Sequence, residues 1–92
     1  MKYVFIGKET VTSISDVYDL FAEAFDFPDY FGRNLDALYD CLTDLFEQAL
    51  ILLADKDYLR GILGEKADAL FETLYDADEN NAYLVIREFD QK

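Results

Sequence analysis

The chain has 92 residues, of which 20 are acidic and 8 are basic, and its formal net charge is −12 with no histidine. This charge disfavours direct binding to nucleic acid or to an anionic membrane, because both require basic residues. The absence of histidine removes the catalytic triads that depend on an imidazole base.

The length and the 52% hydrophobic content predict one small domain over residues 1–92. Cys41 is the single cysteine, so it cannot form an intrachain disulfide, which suits a reducing compartment. The apolar runs are far shorter than the roughly 20 residues that cross a membrane. We therefore expect a cytoplasmic protein.

Three short apolar segments predict strands at residues 3–6, 49–53 and 82–86. Their apolar character is continuous rather than alternating, which indicates strands covered on both faces.

The segment after the first strand has the pattern of a helix that starts near Ser13, where Ser13 and Asp16 resemble a capping box. Pro28 is expected to end this helix, because the residue before a proline is pushed out of helical geometry. A second helix is predicted with Asn34 as its N-cap. Its predicted apolar stripe consists of Leu35, Leu38, Tyr39, Leu42, Leu45 and Phe46.

Two more helices are predicted before the last strand, at residues 55–63 and at about residues 65–78. Gly64 should end the first of them, and Asn80 and Asn81 should form a turn into the strand. The order β-α-α-β-α-α-β predicts an α/β fold in which about four helices pack on a small three-stranded parallel sheet.

Asp36 and Asp40 lie four residues apart and project from one side of the second predicted helix. They could act as a general acid and base, or as ligands for Mg²⁺ or Ca²⁺. Without a third oxygen donor from a loop they would make only a weak metal site, so we predict neither a metal site nor a cofactor. As a recognition surface they would meet a basic partner, which would relieve the repulsion among the acids at 36, 40, 44 and 47. The acid pattern alone favours a plain solvated face.

Aromatic residues lie close to these acids. Tyr30 and Phe31 precede Gly32 in a surface loop, and Tyr39 borders the acids on the helix. Aromatic anchors beside charges are typical of a protein interface, but the same rings could equally seal the core. Cys41, with acidic neighbours that would raise its pKa, is interpreted as a half-buried apolar filler.

The whole segment 27–43 resembles the signature of the barstar family, intracellular inhibitors of barnase-type ribonucleases. The shared pattern is (apolar)-Pro-(acidic)-Tyr-(aromatic)-Gly-x-Asn-Leu-Asp-Ala-Leu-(aromatic)-Asp-Cys-Leu-Thr. The start of the chain and the order of its elements are also similar. The resemblance implies a three-stranded parallel sheet with helices packed around it, and a loop and second helix that plug a ribonuclease active site.

The resemblance also implies roles for single residues. Asp40 would occupy the RNA-phosphate site of the enzyme, Asp36 would pair with an arginine at its rim, and Tyr30 would pack on its catalytic histidine. Gly32 and Asn34 would fix the loop. The full predicted partner-binding set is Tyr30, Phe31, Gly32, Asn34, Asp36, Tyr39, Asp40, Thr43 and Asp76.

We therefore expect a non-enzymatic immunity protein that inhibits a basic secreted ribonuclease of barnase type and binds neither nucleic acid nor a membrane itself. Three positions depart from the family pattern: Tyr39 replaces a frequent tryptophan, Leu45 replaces an aromatic residue, and Arg33 adds a positive charge beside the acids. Arg33 would repel a strongly cationic enzyme or meet an acidic residue on it. The alternative is an acidic module of the same fold that binds another toxin or a regulatory protein.

Overall fold

A computed structural model of the chain describes residues 1–29 and 31–89. The elements, in chain order, are β1 (Lys2–Ile6), α1 (Ile14–Phe25), α2 (Leu35–Thr43), β2 (Ala49–Ala54), α3 (Lys56–Leu63), α4 (Glu65–Asn80) and β3 (Leu84–Phe89). The predicted element order is confirmed. No helix in the described part of the chain is long and apolar enough to cross a membrane.

The three strands form one parallel sheet in the order β1-β2-β3, with β2 in the centre. In the register of the sheet, Lys2 lies opposite Ala49, and Ala49 lies opposite Leu84. Each connection between adjacent strands contains two helices, as parallel pairing requires a long crossover. The α/β fold predicted from the sequence is confirmed.

The two faces of the sheet differ in burial. One face carries Val4, Ile6, Ile51 and Leu53, which are almost inaccessible and belong to a core to which all four described helices contribute. The other face is only half-covered, and Tyr3 on it is 65% exposed. The prediction of strands covered on both faces is therefore wrong for this second face, because the helices pack on the first.

Helix α1 begins as predicted and ends earlier than predicted. The Ser13 side chain accepts a bond from the backbone N–H of Asp16, and the Asp16 carboxylate accepts one from the N–H of Ser13, which completes the capping box. The helix ends at Phe25 because Asp26 adopts a left-handed backbone conformation with φ of 54°. Pro28 is thus not the residue that ends it.

We expect the capping box to make stability depend on pH. Bonds from Thr12, first from its backbone N–H and then from its hydroxyl, hold the pKa of the Asp16 carboxyl below its ordinary value. A carboxyl of this kind stabilises the fold above its unfolded pKa, and the contribution is lost as the pH falls through the folded pKa. Asp16→Asn should therefore be less stable than wild type near neutral pH, and the difference should shrink below about pH 4.

Urea denaturation at several pH values measures this difference. Glu23→Gln is the matched control, since it removes the same charge from α1 at an exposed residue whose carboxylate makes no bond within the described residues. Identical pH profiles for the two variants would contradict the prediction.

From α2 onward, several helix and strand ends differ from the prediction. Helix α2 ends at Thr43, so Leu45 and Phe46 follow the helix, and Phe46 is 78% exposed rather than part of an apolar stripe. Helix α4 continues to Asn80, and the buried Asn81 caps it. Strand β3 accordingly begins at Leu84, two residues later than predicted.

Candidate functional site

The exposed carboxylates of α2 and of the residue that caps its end form what we call the acidic face, defined by Asp36, Asp40 and Asp44. Within the described residues, none of these carboxylates takes part in a hydrogen bond or an ion pair. Asp36 lies in the first turn, where the helix dipole favours a negative charge. Asp40 and Asp44 lie beyond that turn and repel one another. The acidic face is therefore negative and free to meet a cationic group.

The turn into α2 is held by the side chain of Asn34. Its Oδ1 accepts a bond of 2.8 Å from the N–H of Ala37, which confirms the predicted N-cap. Its Nδ2 donates to the carbonyl of Gly32 at 3.3 Å. A Cβ on Gly32 would lie 3.3 Å from that same amide nitrogen, so a larger residue would disturb the cap. Gly32 and Asn34 thus fix the start of the acidic face.

The aromatic loop, which we define as residues 27–33, turns two of its rings toward the core. Phe31 is half-buried, with its ring centroid 5.1 Å from that of Phe27 and 6.0 Å from that of Tyr18. Tyr39 on α2 is also half-buried and packs against the core. Tyr30, predicted as a main contact, lies outside the described residues. Phe31 and Tyr39 keep part of their surface open, and their contact with a partner stays a prediction.

Arg33 points back to α1 and is paired within the chain. Its Nη1 lies 2.6 Å from the Asp19 carboxylate, and its Nη2 donates to the Ser15 hydroxyl at 2.7 Å. Its guanidinium also lies 5.8 Å from the centre of the Tyr18 ring. The positive charge expected beside the acidic face is therefore already neutralised by Asp19.

A groove of about 630 Å³ runs beside the acidic face. Most of its lining residues come from the aromatic loop, α2 and the segment after α2, and they include Phe31, Gly32, Asp40, Cys41, Asp44 and Phe46. Lys2 also lines it and is paired with Asp26 at 2.6 Å. The groove brings three of the predicted residues, Phe31, Gly32 and Asp40, onto one concave surface.

Cys41 lies in this groove and is half-buried, which agrees with its interpretation as a filler. Burial raises the pKa of its thiol, and the nearby charges of Asp44 and Asp40 raise it further. The sequence predicted a raised pKa for this thiol from its acidic neighbours. The structure gives the same direction, but burial is the larger cause. A thiol of this kind is a poor nucleophile at neutral pH.

The two remaining predicted residues lie on neighbouring helices. Thr43 ends α2 and is half-buried, with its hydroxyl within 2.9 Å of the carbonyl of Tyr39. Asp76 is exposed on α4, which packs against α2. Asn81 at the end of α4 donates to the carbonyls of Leu42 and Leu45, which joins the ends of the two helices. In residues 1–29 and 31–89, no three potential metal ligands come together.

Sequence reasoning did not assign Asp44 or Phe46 to the site. The sequence pattern gives Asp44 only as one of the acids of the helix, and it predicts Phe46 on the buried side of the helix. No glycine or proline marks the end of α2 after Thr43, so the sequence carries no local signal that Phe46 would emerge at the surface. The surplus of acids on the helix is the sequence signal that could have assigned Asp44 to the site.

These elements define a small α/β protein with a three-stranded parallel sheet and an acidic helix face whose carboxylates have no ion pair in the part of the chain that the structure describes. A family-wide sequence pattern described as Barstar (barnase inhibitor) matches residues 1–90 of the chain. A protein of Bacillus subtilis (strain 168) named "Putative ribonuclease inhibitor YrdF" is 38% identical over 80 residues, which are 86% of this chain and 88% of that protein. The chain belongs to the barstar family, and the resemblance of its segment 27–43 is confirmed.

Proposed function

We propose that the chain is a non-catalytic inhibitor of a ribonuclease, and that its target is a basic secreted enzyme of barnase type. The observation that carries this proposal is the acidic face, in a chain whose family is described by barnase inhibition. Its relative in Bacillus subtilis is likewise named as a ribonuclease inhibitor. As an immunity protein it would act in the cytoplasm, where a reduced Cys41 is expected to persist.

The chemistry of the acidic face supports blockade of a phosphate site. A ribonuclease must hold the phosphate of its substrate with cationic groups, and a carboxylate offers oxygen acceptors of similar charge and spacing to the same groups. Asp40 is exposed and its carboxylate has no bond within the described residues, so no internal interaction must be broken before it binds. We propose Asp40 as the residue that enters the phosphate site, with Asp36 at the rim.

The rest of the surface supports a large protein partner rather than a small ligand. Asp76 adds a further exposed carboxylate from α4, and the aromatic loop adds apolar area beside the acidic face. Interfaces of this composition combine aromatic anchors, which supply binding energy, with charges that steer and orient the partner. We propose that Tyr30, Phe31, Tyr39 and Thr43 complete the contact area.

The proposal is tested by titrating the chain into barnase while RNA cleavage is followed. We expect one-to-one inhibition, and the association rate should fall as salt is added, because surface charges that steer association are screened. Unchanged RNA cleavage at a large excess of the chain would contradict a barnase-type target. In that case, recovery of only non-nuclease proteins on the immobilised chain would favour the alternative of an interaction module with a different partner.

A further inference from the structure

The end of the aromatic loop is bonded to α1 by the side chain of Arg33. Arg33 lies at the end of the loop, next to the Asn34 cap, and its guanidinium reaches Asp19 and Ser15 on α1. A third bond to α1, at 3.2 Å, goes to the carbonyl of Ser15. The planar guanidinium can make these bonds together because its N–H groups are fixed in one fork. Arg33 thus connects the start of α2, which carries the acidic face, to α1.

The backbone at Arg33 needs such a connection. Its φ is 52°, in the left-handed region that a residue with a side chain adopts rarely and at a cost. Other contacts hold the earlier part of the loop: the N–H of Phe27 donates to the carbonyl of Ala22 at 3.0 Å, and the N–H of Phe31 donates to the carbonyl of Pro28 at 2.9 Å. Contacts from the side chain of Arg33 to α1 therefore compensate for an unfavourable conformation at the point where the loop enters α2.

We propose that Arg33 is a positioning residue for the inhibitory surface: it ties the aromatic loop to α1 and cancels its own charge against Asp19. The proposal rests on the proposed function. A loop that is held in its bound geometry loses less conformational entropy on binding, so the complex is more stable. Because Asp19 neutralises the guanidinium, the cationic partner meets only the negative charges of the acidic face.

The test compares Arg33→Gln with Arg60→Gln in binding to barnase by stopped flow. Arg60 on α3 is a close match, since it bonds to Asp68 at 3.0 Å and to Asp57 at 3.1 Å, and lies over the Phe71 ring. Both variants make the chain one unit more negative, so neither should associate more slowly. Only Arg33→Gln should dissociate faster, by roughly three- to tenfold. Equal dissociation rates for the two variants would overturn the proposal.

Two further variants separate position from charge. Asp19→Asn leaves the Arg33 cation unpaired beside the acidic face, so it should dissociate faster and also associate more slowly than wild type, unlike Arg33→Gln. Arg33→Lys keeps the charge but not the fork, and its dissociation rate should lie between those of wild type and Arg33→Gln. An association rate for Asp19→Asn at or above that of wild type would contradict the neutralising role.

A measurement on the free protein distinguishes failure of this proposal from failure of the proposed function. Amide hydrogen exchange at Phe31 should be faster in Arg33→Gln than in Arg60→Gln, whether or not barnase binds. If exchange is faster in Arg33→Gln and the wild-type chain does not bind barnase, the proposed target is overturned. The role of Arg33 in holding the aromatic loop to α1 is then supported. Unchanged exchange at Phe31 would overturn the tie itself.

Discussion

Replacing Asp40 by alanine is expected to weaken the binding of barnase by about 2–5 kcal/mol, which is roughly a 30-fold to several-thousandfold increase in Kd. The large effect has two causes: the carboxylate is lost as an acceptor, and the cationic groups of the enzyme are left buried without a partner. The loss should appear mainly as faster dissociation, since the rest of the acidic face still attracts the enzyme. Inhibition titrations with wild type and variant measure it.

The same substitution should leave the fold intact. Asp40 is exposed, and its carboxylate makes no bond within residues 1–29 and 31–89. Removing one of several like charges from α2 should raise the free energy of unfolding by at most about 0.5 kcal/mol. A variant that both binds poorly and unfolds more easily would therefore point to a structural role for Asp40 and against the proposed one.

Two controls make the result specific. Glu23→Ala removes an exposed carboxylate from α1, outside the proposed contact area, and should leave the Kd within about twofold of wild type. Asp40→Asn keeps the shape of the side chain and removes its charge, so it should lose nearly as much affinity as Asp40→Ala if charge is the cause. Equal affinity of wild type and Asp40→Ala for barnase would refute the assignment of Asp40 to the phosphate site.

The second large effect is expected in stability, from Asn81→Asp. The buried amide of Asn81 donates to the carbonyls of Leu42 and Leu45 at 2.8 and 2.9 Å, and its oxygen accepts from the N–H of Tyr83 at 2.9 Å. An aspartate of the same shape accepts the last bond but cannot donate, so two carbonyls lose their partner and face a negative charge. We expect the free energy of unfolding to fall by roughly 2–3 kcal/mol.

Urea denaturation measures the change, and the adjacent residue supplies the control. Asn80 makes one bond to the carbonyl of Asp76 at the surface, where water can replace it. Asn80→Asp introduces the same chemical change and should cost less than about 0.5 kcal/mol. Similar losses for the two variants would show that the buried amide does not hold α2 to α4.

The start of each helix near the site was readable from local sequence, because caps depend on neighbouring residues. Each cap joins two residues within one helical turn: Ser13 bonds to Asp16, and Asn34 bonds to Ala37. These bonds do not depend on the tertiary contacts of the rest of the chain. The strands were found for a similar reason, since runs of apolar residues of this length pack only in a core. The resemblance of segment 27–43 to a known family added the ranking of the acids.

Helix ends and side-chain directions were harder to predict. The end of α2 at Thr43 carries no glycine or proline, and the anchor beyond it is Asn81, 36 residues after Leu45. No local pattern could report that bond, so Phe46 was placed in a buried stripe although it is exposed. The left-handed end of α1 at Asp26 was likewise missed in favour of Pro28.

The sequence by itself determined the α/β order, the helix starts and the surplus of acids, because each depends on residue types at short spacing. Only the tertiary structure decided which charges are unpaired. Arg33 forms an ion pair with Asp19, 14 residues away, whereas Asp36 and Asp40 have no ion pair within the described residues. Ion pairs form between residues that the fold brings into contact, and the separation of two residues along the chain does not show whether they will meet. The sequence therefore determines which positions of the acidic face carry carboxylates. The fold determines that Asp36 and Asp40 have no cation beside them within the described residues and are open to a partner.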